Sequence, residues 1–315
     1  MTVLVFGGTG FIGLRAIRRL AERGETVVCY DVNPGAASFA GLEDRVKVMR
    51  GDITQFEDVV SAILQVKPDR IINLAYLLGG GEVEPHLNMR INILGMDNCF
   101  EAARLCGVKR VVYASSVAVC GPQKLHGDRL VDEDDPTSGT RQYAVHKIFN
   151  EFQAAIYNEN YGMNITGIRP ANVTGPDKVR GSVDHVRCVV LPAQGEPVSF
   201  PKKGIMRAPV HVDDVAEAFV RVALSDSPHH TLYNTGGEPI SLGDLADMVR
   251  EFIPDAQISF DSEGGIEESG TYLVDNSRLR QEFELEYPPF RSRVLDIINE
   301  VRRDAGLPLV DPRAA

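Results

Sequence analysis

Short apolar runs alternate with amphipathic stretches along the first half of the chain. The runs are almost continuously apolar, and the stretches between them repeat apolar residues at helical spacing, as Ile12, Ala16 and Leu20 do. Nearly continuous apolar strands that alternate with helices indicate a parallel sheet covered on both faces. The predicted strands are residues 2–6, 26–30, 46–50, 70–74, 111–115 and 165–169, and the predicted helices are residues 11–23, 56–66, 87–106 and 143–160.

The second half of the chain has a less regular pattern. Proline and glycine interrupt it after Pro170, but strand and helix signals persist at residues 209–212, 215–224, 232–235, 242–252 and 292–305. The prediction is therefore an α/β fold with a doubly wound parallel (Rossmann) sheet and a smaller carboxy-terminal α/β domain over the sheet's carboxyl edge. The larger domain is predicted to comprise residues 1–171 and 209–235, and the smaller one residues 172–208 and 236–315.

Composition argues against several classes of function. The chain has 315 residues, 43% hydrophobic and 24% charged, which is enough apolar sequence for a large core. The net charge of −11 argues against a nucleic-acid partner, and no apolar run approaches the ~20 residues that span a membrane. The first strand begins at Thr2, which leaves no room for a signal peptide. The five cysteines form no Cys-x-x-Cys pair and the histidines have no zinc-like spacing, so we expect a cytoplasmic protein with reduced thiols and no metal site.

A glycine-rich turn links the first predicted strand to the first predicted helix. Residues 7–13 read Gly-Gly-Thr-Gly-Phe-Ile-Gly, and their position between strand and helix is the one that dinucleotide binding requires. In that interpretation Gly7 allows the tight turn, Gly10 admits a pyrophosphate close to the backbone, and Gly13 lets the helix approach the strand. Phe11 and Ile12 begin the helix, whose amino terminus favours phosphate. The alternative is an ordinary glycine-rich connection without a ligand.

Acidic residues after the second and third strands bear on the choice of dinucleotide. Asp31 ends the second strand, where a carboxylate accepts hydrogen bonds from a ribose 2′-hydroxyl and repels a 2′-phosphate. Residues 32–37 contain no Arg or Lys to bind such a phosphate, so NAD is the predicted cofactor rather than NADP. Asp52 and Ile53 follow the third strand and are candidates to contact the adenine. Alternatively, Asp52 caps the following helix.

Hydroxyl, phenol and ammonium groups are predicted to meet at the carboxyl edge of the sheet. Ser115 and Ser116 end the fifth strand, and Tyr143 and Lys147 stand four residues apart on one face of the next long helix. Tyr143 is then the group that removes the proton of a substrate alcohol. Lys147 is expected to hold the nicotinamide ribose and to lower the pKa of Tyr143, while Ser116 hydrogen-bonds the substrate oxygen.

Together these motifs resemble the extended short-chain dehydrogenase/reductase superfamily, and within it the NAD-dependent epimerase/dehydratase group. The resemblance covers almost the whole chain and implies that Ser116, Tyr143 and Lys147 are the catalytic residues. Residues 73–75 are similar to the family's nicotinamide-side strand end, and residues 90–95 to its helix with a structural asparagine. Further residues that the resemblance places at the cofactor are Leu74, Ala75, Asn92 and Pro170, and at the substrate Ser115, Asn172 and Arg207.

Departures from the family pattern bear on the substrate. Cys120 stands where the family usually has a tyrosine, which removes a hydroxyl from the substrate side. Residues 263–270 are acidic and lack the second phosphate-binding arginine that is typical of nucleotide-sugar epimerases. Arg207 is then available for an anionic group of the substrate. Alternatively, it forms a salt bridge to Asp213 or Asp214.

The loop after the fourth strand reads Gly-Gly-Gly-Glu at residues 79–82 and resembles the corresponding loop of bacterial threonine dehydrogenases. Its glycines, Gly80 among them, would let the backbone approach a substrate closely. The alternative is a turn without a ligand.

The predicted function is an NAD-dependent oxidoreductase that transfers hydride between NAD and a secondary alcohol or ketone in a small polar substrate, sugar-like or a hydroxy acid. One alternative is a nucleotide-sugar 4-epimerase or dehydratase with tightly held NAD, and another is an NAD-binding sensor without turnover. The resemblance also implies a homodimer formed through the helices at residues 87–106 and 143–160. Helical periodicity alone is equally consistent with burial of these helices in the core.

Overall fold

The computed structural model describes residues 1–36, 38–78, 84–265 and 270–311. The strands, numbered β1 to β13 in chain order, are Thr2–Phe6, Thr26–Asp31, Val46–Arg50, Arg70–Asn73, Arg110–Ala114, Asn164–Arg169, Asn172–Thr174, Val198–Phe200, Met206–Arg207, Pro209–His211, Leu232–Asn234, Ile240–Ser241 and Ile258–Phe260. The α-helices, α1 to α10, are Phe11–Glu22, Phe56–Val66, Pro85–Met89, Gly95–Leu105, Gln142–Tyr161, Asp184–Ala193, Val212–Leu224, Leu242–Phe252, Ser277–Phe283 and Phe290–Asp304.

A parallel sheet dominates the described part of the chain. Its seven strands run in the order β3-β2-β1-β4-β5-β6-β11, which is the doubly wound arrangement with one further strand beside β6. Both faces of β1 are buried: Val3 and Val5 pack on one side, and Leu4 and Phe6 on the other. The predicted parallel sheet is thus confirmed, and all of its six predicted strands are present with ends that differ by at most one residue.

Different helices cover the two faces of the sheet. The helices α1 and α7 pack together on the face that Val3 and Val5 share, and Phe219 of α7 is completely buried there. The helices α2, α4 and α5 bury apolar residues on the opposite face. Both layers are held mainly by the hydrophobic effect, which contributes roughly 25 cal/mol for each Å² of apolar surface removed from water.

The helix predicted at residues 87–106 is present but not uniform. It consists of α3, one π-helical turn at Arg90–Leu94, and α4. The π turn carries Asn92, whose side chain bonds both the N–H and the carbonyl of Leu77. A π turn inside a helix is uncommon and is often associated with functional sites. Here it brings a buried amide against the segment that follows β4.

A second core lies in the carboxy-terminal half of the chain. It is built by α6, α8 and α10 together with β8 and β13, and Leu245, Val294 and Ile297 are completely buried in it. Three small two-stranded sheets, β7 with β10, β9 with β12 and β8 with β13, accompany this core. The predicted fold class, a doubly wound sheet with smaller carboxy-terminal α/β elements, is therefore confirmed. The exact domain boundaries at residues 171, 208 and 235 stay a prediction.

Candidate active site

The glycine turn lies at the point where the strand order of the sheet reverses. The strands β1 and β4 are neighbours there, and ligands of doubly wound folds bind in the crevice beyond their carboxyl ends. Gly7 has φ +72°, and a Cβ on it would lie 2.6 Å from the nitrogen of Ala75, just after β4. A Cβ on Gly13 would lie 2.3 Å from the carbonyl oxygen of Gly7. Both positions therefore exclude any side chain, and the turn packs closely against the segment after β4 and against α1.

The amino terminus of α1 suits an anion. Gly10 precedes the helix and has no side chain to cap it. The first turn of the helix lies within the described residues and contains no acidic side chain. The positive end of the helix dipole therefore has no carboxylate from the helix's own first turn to neutralise it. Phe11 and Ile12 form the start of α1 and pack partly against the core on the α1 and α7 face. This turn fits the pyrophosphate of a dinucleotide.

Asp31 is fixed beside the same turn. Its Oδ2 accepts the N–H of Thr9 at 3.2 Å, and its Oδ1 accepts the N–H of Asn33 at 3.1 Å. The carboxylate therefore lies at the carboxyl end of β2, next to the glycine turn. A carboxylate in this position matches the geometry expected for a ribose 2′-hydroxyl.

Asp52 and Ile53 have structural roles that sequence pattern left open. Asp52 Oδ1 accepts the N–H of Thr54 at 2.8 Å, as in a turn that leads into α2, although the residue before that helix is Gln55. Ile53 is buried, and its carbonyl oxygen accepts the side chain of Asn98 at 2.9 Å. Contact of these two residues with adenine stays a prediction.

Ser116 lies near the phenol of Tyr143, which is in the first turn of α5. Ser116 follows β5 and caps a short 3-10 turn at Val117–Cys120, where its Oγ accepts the N–H of Ala118 at 3.2 Å. Burial raises the pKa of Tyr143 above its usual value, and the neighbouring hydroxyl of Ser116 opposes this rise only in part. The phenol is therefore protonated at neutral pH in this structure.

Lys147 is buried one helical turn further along α5. Its Nζ donates to the carbonyl of Ala114 at 2.5 Å and lies 5.8 Å from the centre of the Tyr143 ring. Burial holds the pKa of Lys147 well below its usual range, and the carboxylate of Glu151 opposes this shift. In this structure the burial of the phenol dominates its pKa, and the expected lowering by Lys147 together with the positive nicotinamide ring stays a prediction.

A buried ion pair links α5 to β6. Glu151 lies four residues after Lys147, and its two carboxylate oxygens accept Nε and Nη2 of Arg169, each at 2.7 Å. Ser115 Oγ donates to the same carboxylate. The Arg169 side chain is only 2% exposed, so this pair fixes α5 to β6 inside a region of low dielectric. The Ser115 hydroxyl is engaged by this network, and its contact with substrate stays a prediction.

Asn92 and Pro170 shape the backbone around the crevice. Asn92 is buried and bonds the backbone of Leu77 at 2.8 and 3.0 Å, which holds the segment that follows β4 with Leu74 and Ala75. The carbonyl of Pro170 accepts the N–H of Val117 at 3.1 Å, beside Ser116. Both residues therefore support the crevice through backbone contacts. Gly80 and the part of the acidic loop at residues 266–269 lie outside the described residues.

Arg207 is paired on the substrate side, with a partner that the sequence did not predict. Its Nε donates to Asp184 Oδ1 at 2.9 Å, its Nη2 bonds Asp184 Oδ2, and its Nη1 donates to the carbonyl of Met206 at 2.8 Å. The alternative that Arg207 forms a salt bridge is thus correct, but the partner is Asp184 rather than Asp213 or Asp214. The reason is the fold: Asp184 begins α6, whereas Asp213 and Asp214 begin α7, where arginines of α1 and α10 reach them.

The surroundings of Arg207 contain further charged and polar groups. Asn172 Oδ1 accepts the N–H of Ala208 at 2.9 Å, which joins β7 to the segment that carries Arg207. Lys178 donates to the carbonyl of Val173 at 2.8 Å, and burial lowers its pKa to about 8. His185 is completely buried and its Nδ1 lies 3.1 Å from Asp184 Oδ1. Asp184 thus pairs with Arg207 and also opposes the lowering of the pKa of Lys178.

Three residues at the site were missed from sequence. Glu151 continues the spacing of four that joins Tyr143 to Lys147, so the helical face already contained that signal. Tyr76 is the third residue after β4 and lies with its ring against Tyr143, and an aromatic residue just beyond the carboxyl edge of a central strand could have drawn attention. Asp184 had no local signal, because 23 residues separate it from Arg207.

A model of the NAD dependent epimerase/dehydratase family matches residues 3–236 of the chain. The chain belongs to this family. It is 31% identical over 231 residues to the UDP-glucose 4-epimerase of Mycolicibacterium smegmatis, covering 70% of this chain and 72% of that one. It is also 27% identical over 308 residues to the dTDP-4-dehydro-6-deoxy-D-allose reductase of Streptomyces bikiniensis, covering 92% and 93% of the two chains. The family resemblance seen in the sequence is thus confirmed, and the chain is an enzyme of this group.

Solved structures agree on the fold. A complex of UDP-glucose 4-epimerase from Thermus thermophilus with NAD superposes with a TM-score of 0.82 at 24% identity, covering 96% of this chain and 99% of that one. An L-threonine dehydrogenase from Cupriavidus necator also superposes with a TM-score of 0.82, at 21% identity, covering 96% and 100%. Proteins with this fold therefore include both an epimerase and a dehydrogenase. Within the described residues, no helix is long and apolar enough to cross a membrane.

Proposed function

We propose that this family member is an NAD-dependent dehydrogenase that acts on a secondary alcohol, or its ketone, in a small polar substrate. The observation that carries this choice is the pairing of Arg207 with Asp184 through both carboxylate oxygens. A nucleotide sugar brings a diphosphate that needs cations or N–H donors. An arginine whose charge is already neutralised serves such a group poorly, whereas a small alcohol without a diphosphate does not depend on it.

The choice of NAD rests on the glycine turn and on Asp31. Gly7 and Gly13 let the turn pack closely against the segment after β4 and against α1, and Gly10 leaves the start of α1 without a side chain, so a pyrophosphate could approach the backbone there. Asp31 is oriented by Thr9 and Asn33, and its carboxylate would accept the ribose hydroxyl and repel a 2′-phosphate. NAD, when bound, supplies the acceptor or donor of hydride. The family description and the NAD found in the Thermus thermophilus relative support the same cofactor.

In the proposed mechanism Tyr143 handles the proton of the substrate. The hydroxyl of Ser116 lies near the phenol of Tyr143, so both could contact one substrate oxygen. In the direction of reduction, the protonated phenol donates its proton to the developing alkoxide. In the direction of oxidation, Tyr143 must first lose its proton, which the ammonium of Lys147 one helical turn away favours. Because burial raises the pKa of Tyr143, oxidation should accelerate as the pH rises.

The proposed function is tested by following net NADH. The purified protein is incubated with exchangeable NAD and a panel of small hydroxy acids, hydroxy amino acids and free sugars, and in parallel with UDP-glucose and UDP-galactose. Net NADH formation from a member of the small-molecule panel is the expected result. Interconversion of the two nucleotide sugars without net NADH would overturn the proposal.

A nucleotide-sugar 4-epimerase is the second candidate. It is favoured by the 31% identity to the UDP-glucose 4-epimerase of Mycolicibacterium smegmatis. Such an enzyme returns the hydride to its own intermediate and holds NAD tightly, so NAD should co-purify with it. The dehydrogenase should instead exchange NAD freely with solution.

We also propose that the chain forms a homodimer through α5 and the helical segment that contains α3 and α4. Phe152 is 64% exposed, and Val145 and Phe149 are exposed on the same face of α5. Met89 and Leu94 add exposed apolar side chains from the π turn and the residue before it. A contiguous apolar surface of this kind on a soluble chain is a candidate interface. Light scattering should give a dimeric mass for the wild type and a monomeric mass for Phe152→Asp, and a monomeric wild type would refute the proposal.

A further inference from the structure

We infer that Tyr76 is a positioning residue, whose ring holds the ammonium of the catalytic Lys147 in place. Lys147 Nζ lies 3.3 Å from the centre of the Tyr76 ring, well inside the ~6 Å within which a cation is attracted to an aromatic face. The same nitrogen donates to Ala114 at 2.5 Å. The ammonium is therefore held between a carbonyl at the end of β5 and an aromatic face that follows β4.

Tyr76 is itself fixed by the phenol that the proposed mechanism uses. The rings of Tyr76 and Tyr143 meet edge to face, with centres 5.6 Å apart and planes at 83°. Such contacts between aromatic rings contribute about 0.5–1.5 kcal/mol beyond area burial. Tyr76 thus contacts both members of the Tyr143 and Lys147 pair, although it lies on a different element of the fold.

The ring rather than the hydroxyl makes these contacts. The hydroxyl oxygen of Tyr76 is buried and has no hydrogen-bond partner among the described residues. A phenylalanine would keep both the cation contact and the edge-to-face contact, and it would remove a buried polar atom that has no partner. A leucine would keep apolar bulk but lose the negative face of the ring.

The Tyr76 ring stabilises the protonated form of Lys147. The charged and titratable groups around it are Glu151 and Tyr143 on α5, the neighbouring His146, and Tyr76. Glu151 favours the ammonium, while burial of this 2% exposed side chain disfavours it. The Tyr76 ring adds a second attraction for the ammonium. Only the consequence for NAD affinity rests on the proposed function, because it assumes that Lys147 holds the nicotinamide ribose.

The experiment measures the ionisation of Lys147 directly. The side-chain resonance of isotope-labelled Lys147, assigned with Lys147→Gln, is titrated by NMR in the wild type, Tyr76→Phe and Tyr76→Leu. Removing the ring should lower the pKa of Lys147 by about 0.5–1.5 units, whereas Tyr76→Phe should leave it unchanged. Tyr76→Met also removes the aromatic face, and it serves if the leucine variant does not fold. Tyr161→Leu is the matched control, because it removes a surface ring that Arg104 covers at 4.6 Å, far along α5.

NAD affinity gives a second readout. The Kd for NAD should rise several-fold in Tyr76→Leu and stay at the wild-type value in Tyr76→Phe and Tyr161→Leu. An unchanged Lys147 pKa in both ring-less variants would overturn the inference, and so would an equal shift in Tyr76→Phe, which would assign the effect to the hydroxyl. The titration needs no substrate, so its outcome is independent of the dehydrogenase assay.

Discussion

Replacing Asp184 by asparagine should give this chain an affinity for a nucleotide diphosphate that the wild type lacks. Asp184 accepts two charge-assisted bonds from Arg207, whose side chain is 9% exposed. The amide of asparagine keeps nearly the same shape, but it carries no charge and accepts through one oxygen only. Arg207 would then retain its positive charge and gain the ability to turn toward a phosphate.

The size of the effect follows from the kind of bond. A hydrogen bond to a charged group contributes about 1.5–3 kcal/mol. Transferred from Asp184 to a phosphate, that energy corresponds to about a tenfold to hundredfold decrease in the Kd for UDP. The same change should destabilise the free protein, because removing one partner of a buried ion pair leaves the other charge uncompensated.

The assay is calorimetric titration of UDP into protein saturated with NAD, so that the pyrophosphate site at the glycine turn is occupied. Asp177→Asn is the matched control. It makes the same substitution at an exposed carboxylate that bonds Arg15 at 3.4 Å and not Arg207. The double variant Asp184→Asn with Arg207→Gln should lose the gain. If Asp184→Asn binds UDP no more tightly than the wild type, the reasoning about Arg207 is wrong.

Two further predictions concern stability. Arg169→Met should lower the free energy of unfolding by about 3–5 kcal/mol in urea titrations, because it leaves the Glu151 carboxylate buried without its partner. The control is Arg129→Met, at an arginine whose side chain is 54% exposed, and it should cost less than about 1 kcal/mol. Equal losses in the two variants would refute this prediction. Burial lowers the pKa of His211 to about 4. Between about pH 6.5 and 4 the unfolded chain therefore binds a proton that the folded chain does not. The free energy of unfolding should fall by at most about 3 kcal/mol as the pH drops through that window. His211 Nδ1 caps α7 by accepting the N–H of Asp213, and asparagine can keep this cap. His211→Asn should therefore make stability less dependent on pH. An equally steep loss of stability in that variant would exclude His211 as its source.

Features that depend on local spacing were predictable from the sequence. The parallel sheet follows from apolar runs that are buried on both faces, and the glycine turn follows from its position between β1 and α1. Tyr143 and Lys147 share one helix, so a spacing of four residues already placed them on one face. The same rule would have found Glu151.

Features that depend on tertiary contact were not predictable in this way. The pairing of Asp184 with Arg207 joins α6 to β9, and the contact of Tyr76 with Lys147 joins the end of β4 to α5. The pKa of Tyr143 depends on how deeply the fold buries its ring. Spacing in the sequence predicts which residues are neighbours along a helix. It does not predict how burial and nearby charges together set the pKa of a side chain.

The most direct test of the proposed dehydrogenase is the turnover of Tyr143→Phe. The rate of NADH formation is measured at saturating NAD with the best substrate of the panel, and NAD binding is measured separately by calorimetry. Removing the phenol hydroxyl should lower turnover at least ~10²-fold, because a general acid–base group contributes this much or more, while NAD still binds. Turnover equal to that of the wild type would contradict the role of Tyr143 and with it the proposed mechanism.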